Sequence, residues 1–127
     1  MSRPLVIRLV AVALLAGLLA FLALRTSPYL QYIPGMPRWI GVWADSHGIA
    51  RNVVAFGLLA LVVLLLLGHH LPQVLGLAAF GIGLEVSQLW IRGRVFDWRD
   101  ILASLAGIAL AWPIAWLLRR RMSRTPC

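Results

Sequence analysis

Apolar positions along the chain come in four long runs, broken by short stretches rich in proline, arginine, aspartate and histidine. The runs cover residues 4–24, 49–68, 71–91 and 101–118, each near the ~20 residues a helix needs to cross about 30 Å of hydrocarbon. This pattern predicts an all-α, polytopic membrane protein. A single domain over residues 1–127 forms a four-helix transmembrane bundle, with an interfacial loop after the first helix. The first run opens like a secretory signal, with Arg3 and Arg8, but 16 apolar residues follow Arg8 and no clear A-x-A site closes that stretch before Arg25. A cleavable h-region is usually ~7–15 residues, so the expectation is a retained signal-anchor helix.

The breaks have their own chemistry. Residues 25–48 contain Pro28, Pro34 and Pro37 with Tyr29, Tyr32, Trp39 and Trp43 between and after them. Proline excludes a regular span and Tyr and Trp favour the membrane interface, which predicts a surface loop with one helical turn after Pro37. The second and third runs are joined by Gly68, His69 and His70 alone. Zinc takes about four ligands, and with no Cys or further His nearby the pair is read as interfacial rather than metal-binding. Ala103, Gly107 and Ala111 recur every four residues in the last run, and Ala79 with Gly83 offers a matching small patch in the third. Such stripes let membrane helices approach closely, within the bundle or in a partner membrane protein. Pro113 predicts a kink, and Trp116 with Arg119, Arg120 and Arg121 marks the exit into water.

Composition sharpens the picture. The chain is 61% hydrophobic and 13% charged, against about 25% charged residues in soluble proteins. Its net charge of +8 is carried by arginine alone, grouped at the ends of the apolar runs. A soluble nucleic-acid binder spreads such charge over one polar face, so the arginines read as orientation signals facing lipid headgroups. They divide evenly: Arg3, Arg8, Arg119, Arg120, Arg121 and Arg124 on the side of the termini, and Arg25, Arg38, Arg51, Arg92, Arg94 and Arg99 on the other. The usual dominance of the first helix and the dense terminal cluster favour termini in the cytoplasm. Cys127 has no internal partner for a disulfide and no prenylation spacing.

Three of the four acids lie within "GLEVSQLWIRGRVFDWRD", residues 83–100. Glu85 falls inside the third run, about 9 Å from its end at 1.5 Å per residue. An ionisable group in mid-membrane costs about 2.5–3.5 kcal/mol, so it needs a partner. Glu85, Gln88 and Arg92 share one stripe if the helix continues that far. A tight turn with Gly93 as a left-handed cap then brings Asp97 and Asp100 to the start of the last helix, whose N-terminal dipole favours carboxylates. Ser104 follows one turn later on the face of Gly107. The spacing gathers Glu85, Gln88, Arg92, Arg94, Asp97, Asp100 and Ser104 at one mouth of the bundle, as an ionic clasp between helices or as a ligand site.

Glu85-x-x-Gln88, then Arg94-x-x-Asp97-x-x-Asp100, then Ser104 and Gly107, resembles the signature hairpin of the VanZ-like membrane proteins. That family carries asparagine where this chain has Ser104. An earlier family segment is matched loosely by Asp45, His47, Asn52 and Phe56, with Leu58 and Ala60 in place of proline and glycine. The resemblance implies a bacterial cell-envelope protein and no accepted reaction. The founding member is associated with low-level resistance to teicoplanin, a lipid-tailed glycopeptide.

Three functions remain open on the sequence. The favoured one is a non-enzymatic protein of the bacterial cytoplasmic membrane whose outward mouth binds an amphiphile: a lipid, a lipid-linked cell-wall precursor or a lipoglycopeptide. Arginines there suit phosphate or carboxylate, and His47, Arg51 and Asn52 are additional candidates. The second is an intramembrane enzyme on a lipid-linked substrate, with Glu85 as acid or base and His47 as a second proton carrier. No nucleophile motif, H-E-x-x-H or C-x-x-C is present, and no cofactor is implied. The third is an accessory or scaffold subunit that binds membrane proteins through its small-residue faces.

Overall fold

A computed structural model describes residues 2–24, 29–92 and 95–124. Among these residues the protein is all-helical: α1 (Arg3–Ala23), α2 (Arg38–Ser46), α3 (Gly48–Leu67), α4 (Leu71–Ser87), a 3-10 turn (Gln88–Trp90) and α5 (Trp98–Met122). Three of them, α1, α3 and α5, are long and apolar enough to cross a membrane. The expected fourth span is shorter than its apolar run, because α4 ends at Ser87 rather than near Ile91. Ser87 Oγ donates to Gly83 O at 2.7 Å, a back-bond that competes with the helical ladder. The chain then tightens into the 3-10 turn and is extended at Ile91.

The α3–α5 pair forms the centre. Gly57 and Gly107 meet where the two helices cross: a Cβ on Gly107 would run into the Val53 carbonyl oxygen and lie 2.9 Å from Gly57 N. Only a residue without a side chain allows backbones this close. The partner expected from sequence differs, since Ala79 and Gly83 are exposed and a Cβ on Gly83 would meet nothing. It is Gly81 that brings α4 against its neighbours: a Cβ there would lie 3.1 Å from a Phe56 ring carbon and 3.5 Å from Ser104 Cβ. Phe56, Leu59, Ala60 and Val63 of α3 pack with Leu77, Leu84, Ile108 and Ala111 as the core. Helix α1 contributes half-buried side chains along one edge and has no buried residue.

Side-chain hydrogen bonds fix which helix ends lie together. Arg8 Nη1 donates to Leu66 O at 3.4 Å, and Arg119 Nη1 to Leu64 O and Leu65 O at 3.3 and 3.1 Å. The start of α1, the end of α3 and the end of α5 therefore share one end of the bundle. His69 lies there too, its Nε2 donating to Trp112 O at 2.9 Å; a carbonyl only accepts, so Nε2 carries the proton. Gly68 makes the α3–α4 turn at φ +112°, a conformation that favours glycine. At the opposite end lie the close of α1, all of α2, the start of α3, the 3-10 turn and the start of α5.

Residues 37–46 form more structure than one turn. α2 is a nine-residue helix that buries Gly41 and Ala44 and exposes Trp39 and Trp43. Asp45 holds it in place, accepting from Leu30 N at 2.7 Å and Gln31 N at 3.1 Å. Gly41 lies against the Gln31 backbone with no room for a Cβ.

Candidate functional site

A cleft of about 130 Å³ opens at the α2 end of the bundle. Its lining is mixed: Arg51, Asn52, Glu85, Gln88, Asp100 and Ser104 are polar, and Leu19 and Leu22 of α1, Ala55 and Phe56 of α3, and Leu84 of α4 are apolar. Glu85, Gln88 and Ser104 are the buried polar residues among those described.

Each polar side chain is delivered by a local feature. Glu85 sits in the last turn of α4, two residues before its end, so its burial comes from packing against α5 rather than from depth along a long span. Its Oε1 accepts from Asp97 N at 3.0 Å, which ties α4 across the hairpin to the start of α5. Asp97 is the N-cap of α5: its Oδ1 accepts from Arg99 N at 2.9 Å, satisfying one of the donors that every helix start leaves over. Gln88 Nε2 donates to Ala23 O at 3.2 Å, at the end of α1. Ser104 Oγ donates to Asp100 O at 2.8 Å one turn back.

The residues singled out from sequence are thus brought together in part. Glu85, Gln88, Asp100 and Ser104 line the cleft, and Arg51 and Asn52 join them from the first turns of α3. Asp97 touches the cluster through its backbone N–H. Arg92 lies beyond the 3-10 turn and is exposed, so the Glu85–Gln88–Arg92 stripe breaks where the helix does. Gly93 and Arg94 lie outside the described residues. His47 is not a cleft residue. It is exposed at the α2–α3 junction, stacks on Trp43 at 5.5 Å, and its Nδ1 bonds Trp43 O at 3.0 Å. No group of three or more His, Cys, Asp or Glu suited to a metal occurs among the described residues.

One distinction within the lining decides its chemistry. Glu85, Gln88 and Ser104 each hold a backbone group of the fold, whereas Arg51 and Asn52 are half-buried beside them with no side-chain hydrogen bond to a described residue. Among the described residues, the lining side chains that a guest could engage in this way are a guanidinium and an amide.

A protein-family model described as VanZ/LLP1 matches residues 7–119. The chain belongs to the VanZ/LLP1 family. The match runs from the first turns of α1 to the last turns of α5, so it takes in all the elements that build the cleft. No curated protein matches the chain, and no solved structure does.

Sequence reasoning missed the α1 wall and the Asp45 clasp. The α1 wall left no trace because α1 beyond Arg8 is uniformly apolar and its link to the site is a backbone carbonyl, Ala23 O. Asp45 did leave one: it is the only acid in a loop otherwise rich in proline and tryptophan.

Proposed function

We propose that this VanZ/LLP1 member is a multi-pass protein of the bacterial cytoplasmic membrane that holds an amphiphilic, lipid-linked cell-envelope ligand in the cleft between α1, α3, α4 and α5. The observation behind this reading is the mixed lining, in which Arg51 and Asn52, without a side-chain partner among the described residues, share the cleft with apolar Leu19, Leu22, Ala55, Phe56 and Leu84. A cleft of about 130 Å³ is smaller than the ~300–1,000 Å³ that encloses a drug-sized ligand. It suits the junction of head and tail, with the head outside and the rest of the tail along the bilayer. The bundle crosses the membrane four times in this reading: α4 with its 3-10 turn spans about 31 Å at ~1.5 and ~2.0 Å per residue, and α4 runs antiparallel to both α3 and α5.

A contribution to teicoplanin-type resistance follows if the ligand is a lipoglycopeptide. The test is titration of teicoplanin and its deacylated form onto the protein in nanodiscs. The acylated form should bind more tightly, and Arg51→Gln with Asn52→Leu should weaken it while helix content stays constant. Equal binding of the two forms, or of wild type and variant, would sink the proposal. Turnover of a lipid-linked substrate that is lost in Glu85→Gln would instead favour an enzyme, and co-purification of a membrane protein that depends on Gly83 and Ala79 would favour a scaffold.

A further inference from the structure

The arginines after the last apolar run do not behave alike. Arg119 is turned inward, its Nη1 donating to the Leu64 and Leu65 carbonyls, where it caps the end of α3 together with Arg8. Arg120, Arg121 and Arg124 point outward instead, and with Leu117 they line an open groove of about 210 Å³. Positions 117, 120, 121 and 124 are spaced i, i+3, i+4 and i+7, so the three guanidiniums share one helix face. Arg120 lies over the Trp116 ring, 5.0 Å from its centroid, a contact that suits an interfacial arginine. Toward the membrane the same side of α5 continues as exposed apolar side chains, Leu110, Ile114 and Leu117.

Nothing in the described chain neutralises this face. All four acids, Asp45, Glu85, Asp97 and Asp100, belong to the opposite end of the bundle, about one membrane thickness away along the 25 residues of α5. Three like charges on consecutive turns repel one another unless counter-charge arrives from outside. Its source must also match a strip of lipid-facing side chains directly below the charges.

We infer that the groove of Arg120, Arg121 and Arg124 is a binding site for an anionic phospholipid, its headgroup phosphate held by the guanidiniums and an acyl chain lying along Leu117, Ile114 and Leu110. This site is separate from the cleft and does not depend on what the cleft binds. Guanidinium forks suit phosphate oxygens in pairs, and each basic residue at an anionic surface contributes about a fivefold gain in affinity.

The test is lipid retention by the full chain, released for native mass spectrometry from nanodiscs of mixed phosphatidylglycerol and phosphatidylcholine. Wild type should keep phosphatidylglycerol in preference to phosphatidylcholine. The Arg120→Gln, Arg121→Gln, Arg124→Gln triple variant should lose that preference, on the order of a hundredfold in affinity. Arg38→Gln with Arg99→Gln, which removes charge from the other end, should retain it. If the triple variant does not fold, Arg121→Gln alone should show about a fivefold loss. Equal retention of both lipids, an unchanged triple variant, or the same loss in the Arg38, Arg99 control overturns the inference. So does tight binding of an RNA oligomer by the lipid-free protein, since it would give the face to a soluble polyanion.

Discussion

Glu85 shows how a single residue serves the fold and the site at once. Its Oε1 holds the Asp97 N–H, and the same carboxyl lines the cleft. Two substitutions separate the roles. Glu85→Gln keeps an oxygen for Asp97 N and should leave thermal stability in detergent close to wild type, while ligand binding in the cleft falls because an amide NH2 replaces the second carboxyl oxygen. Glu85→Ala leaves the part-buried Asp97 N–H without its acceptor and should cost about 1 kcal/mol. Identical binding by wild type and Glu85→Gln would leave Glu85 as a packing residue. Arg94 carries a second test at this scale, on sequence grounds alone. Arg94→Lys should hold stability within about 1 kcal/mol, as for an exposed ion pair, and weaken binding of an anionic amphiphile, because lysine lacks the bidentate fork. A fall in stability that a charge swap with Asp97 or Asp100 rescues would mark a clasp instead.

Among the helices, the decisive contact is α3 on α5 through Gly57 and Gly107. The crossing lies just below the level of Arg51, Asn52 and Ser104, so it sets the width of the cleft. Gly107→Ala forces a Cβ against the Val53 carbonyl, and overpacking of this kind costs about 1–3 kcal/mol. Gly83→Ala enters open space and should stay within about 0.5 kcal/mol of wild type. Melting curves of the two variants compare these glycines directly, and a large loss in Gly83→Ala would return α4 to the role that its small-residue pattern suggests. The stripe of Ala103, Gly107 and Ala111 was legible as a close-approach face, and all three are buried. Its partner was not legible, because small residues occur on α3 and α4 alike and spacing does not say which helix is the neighbour.

At the scale of the whole molecule, the two ends differ in chemistry. One gathers the start of α1, the end of α5, His69 and arginines, with no acidic side chain among the described residues; the other gathers the four acids, the cleft and α2 with its exposed Trp39 and Trp43. The arginine pattern favours the first end in the cytoplasm. Single cysteines at 32, 39 and 96, in a Cys127→Ser background, should then react with an impermeant thiol reagent on intact cells, and a cysteine at 69 should react only after permeabilisation. Labelling at 69 on intact cells would reverse the orientation. Labelling at 69 from the same side as at 96 would show that α4 does not cross.

Apolar run length and proline placement by themselves determined that the chain is helical and membrane-adapted, and where α1, α3 and α5 lie, because hydrocarbon thickness and backbone hydrogen bonding leave few other solutions. The hairpin of Glu85, Gln88, Asp97, Asp100 and Ser104 was legible because these residues are close in sequence and local helix geometry brings them together. Tertiary structure alone decided the rest: that Arg92 and His47 stay outside the cleft while Arg51 and Asn52 enter it, and that α1 forms one wall. These outcomes depend on backbone carbonyls and on which small residues meet across helices. Such contacts join residues as far apart as Ala23 and Gln88, a pairing that no local pattern encodes.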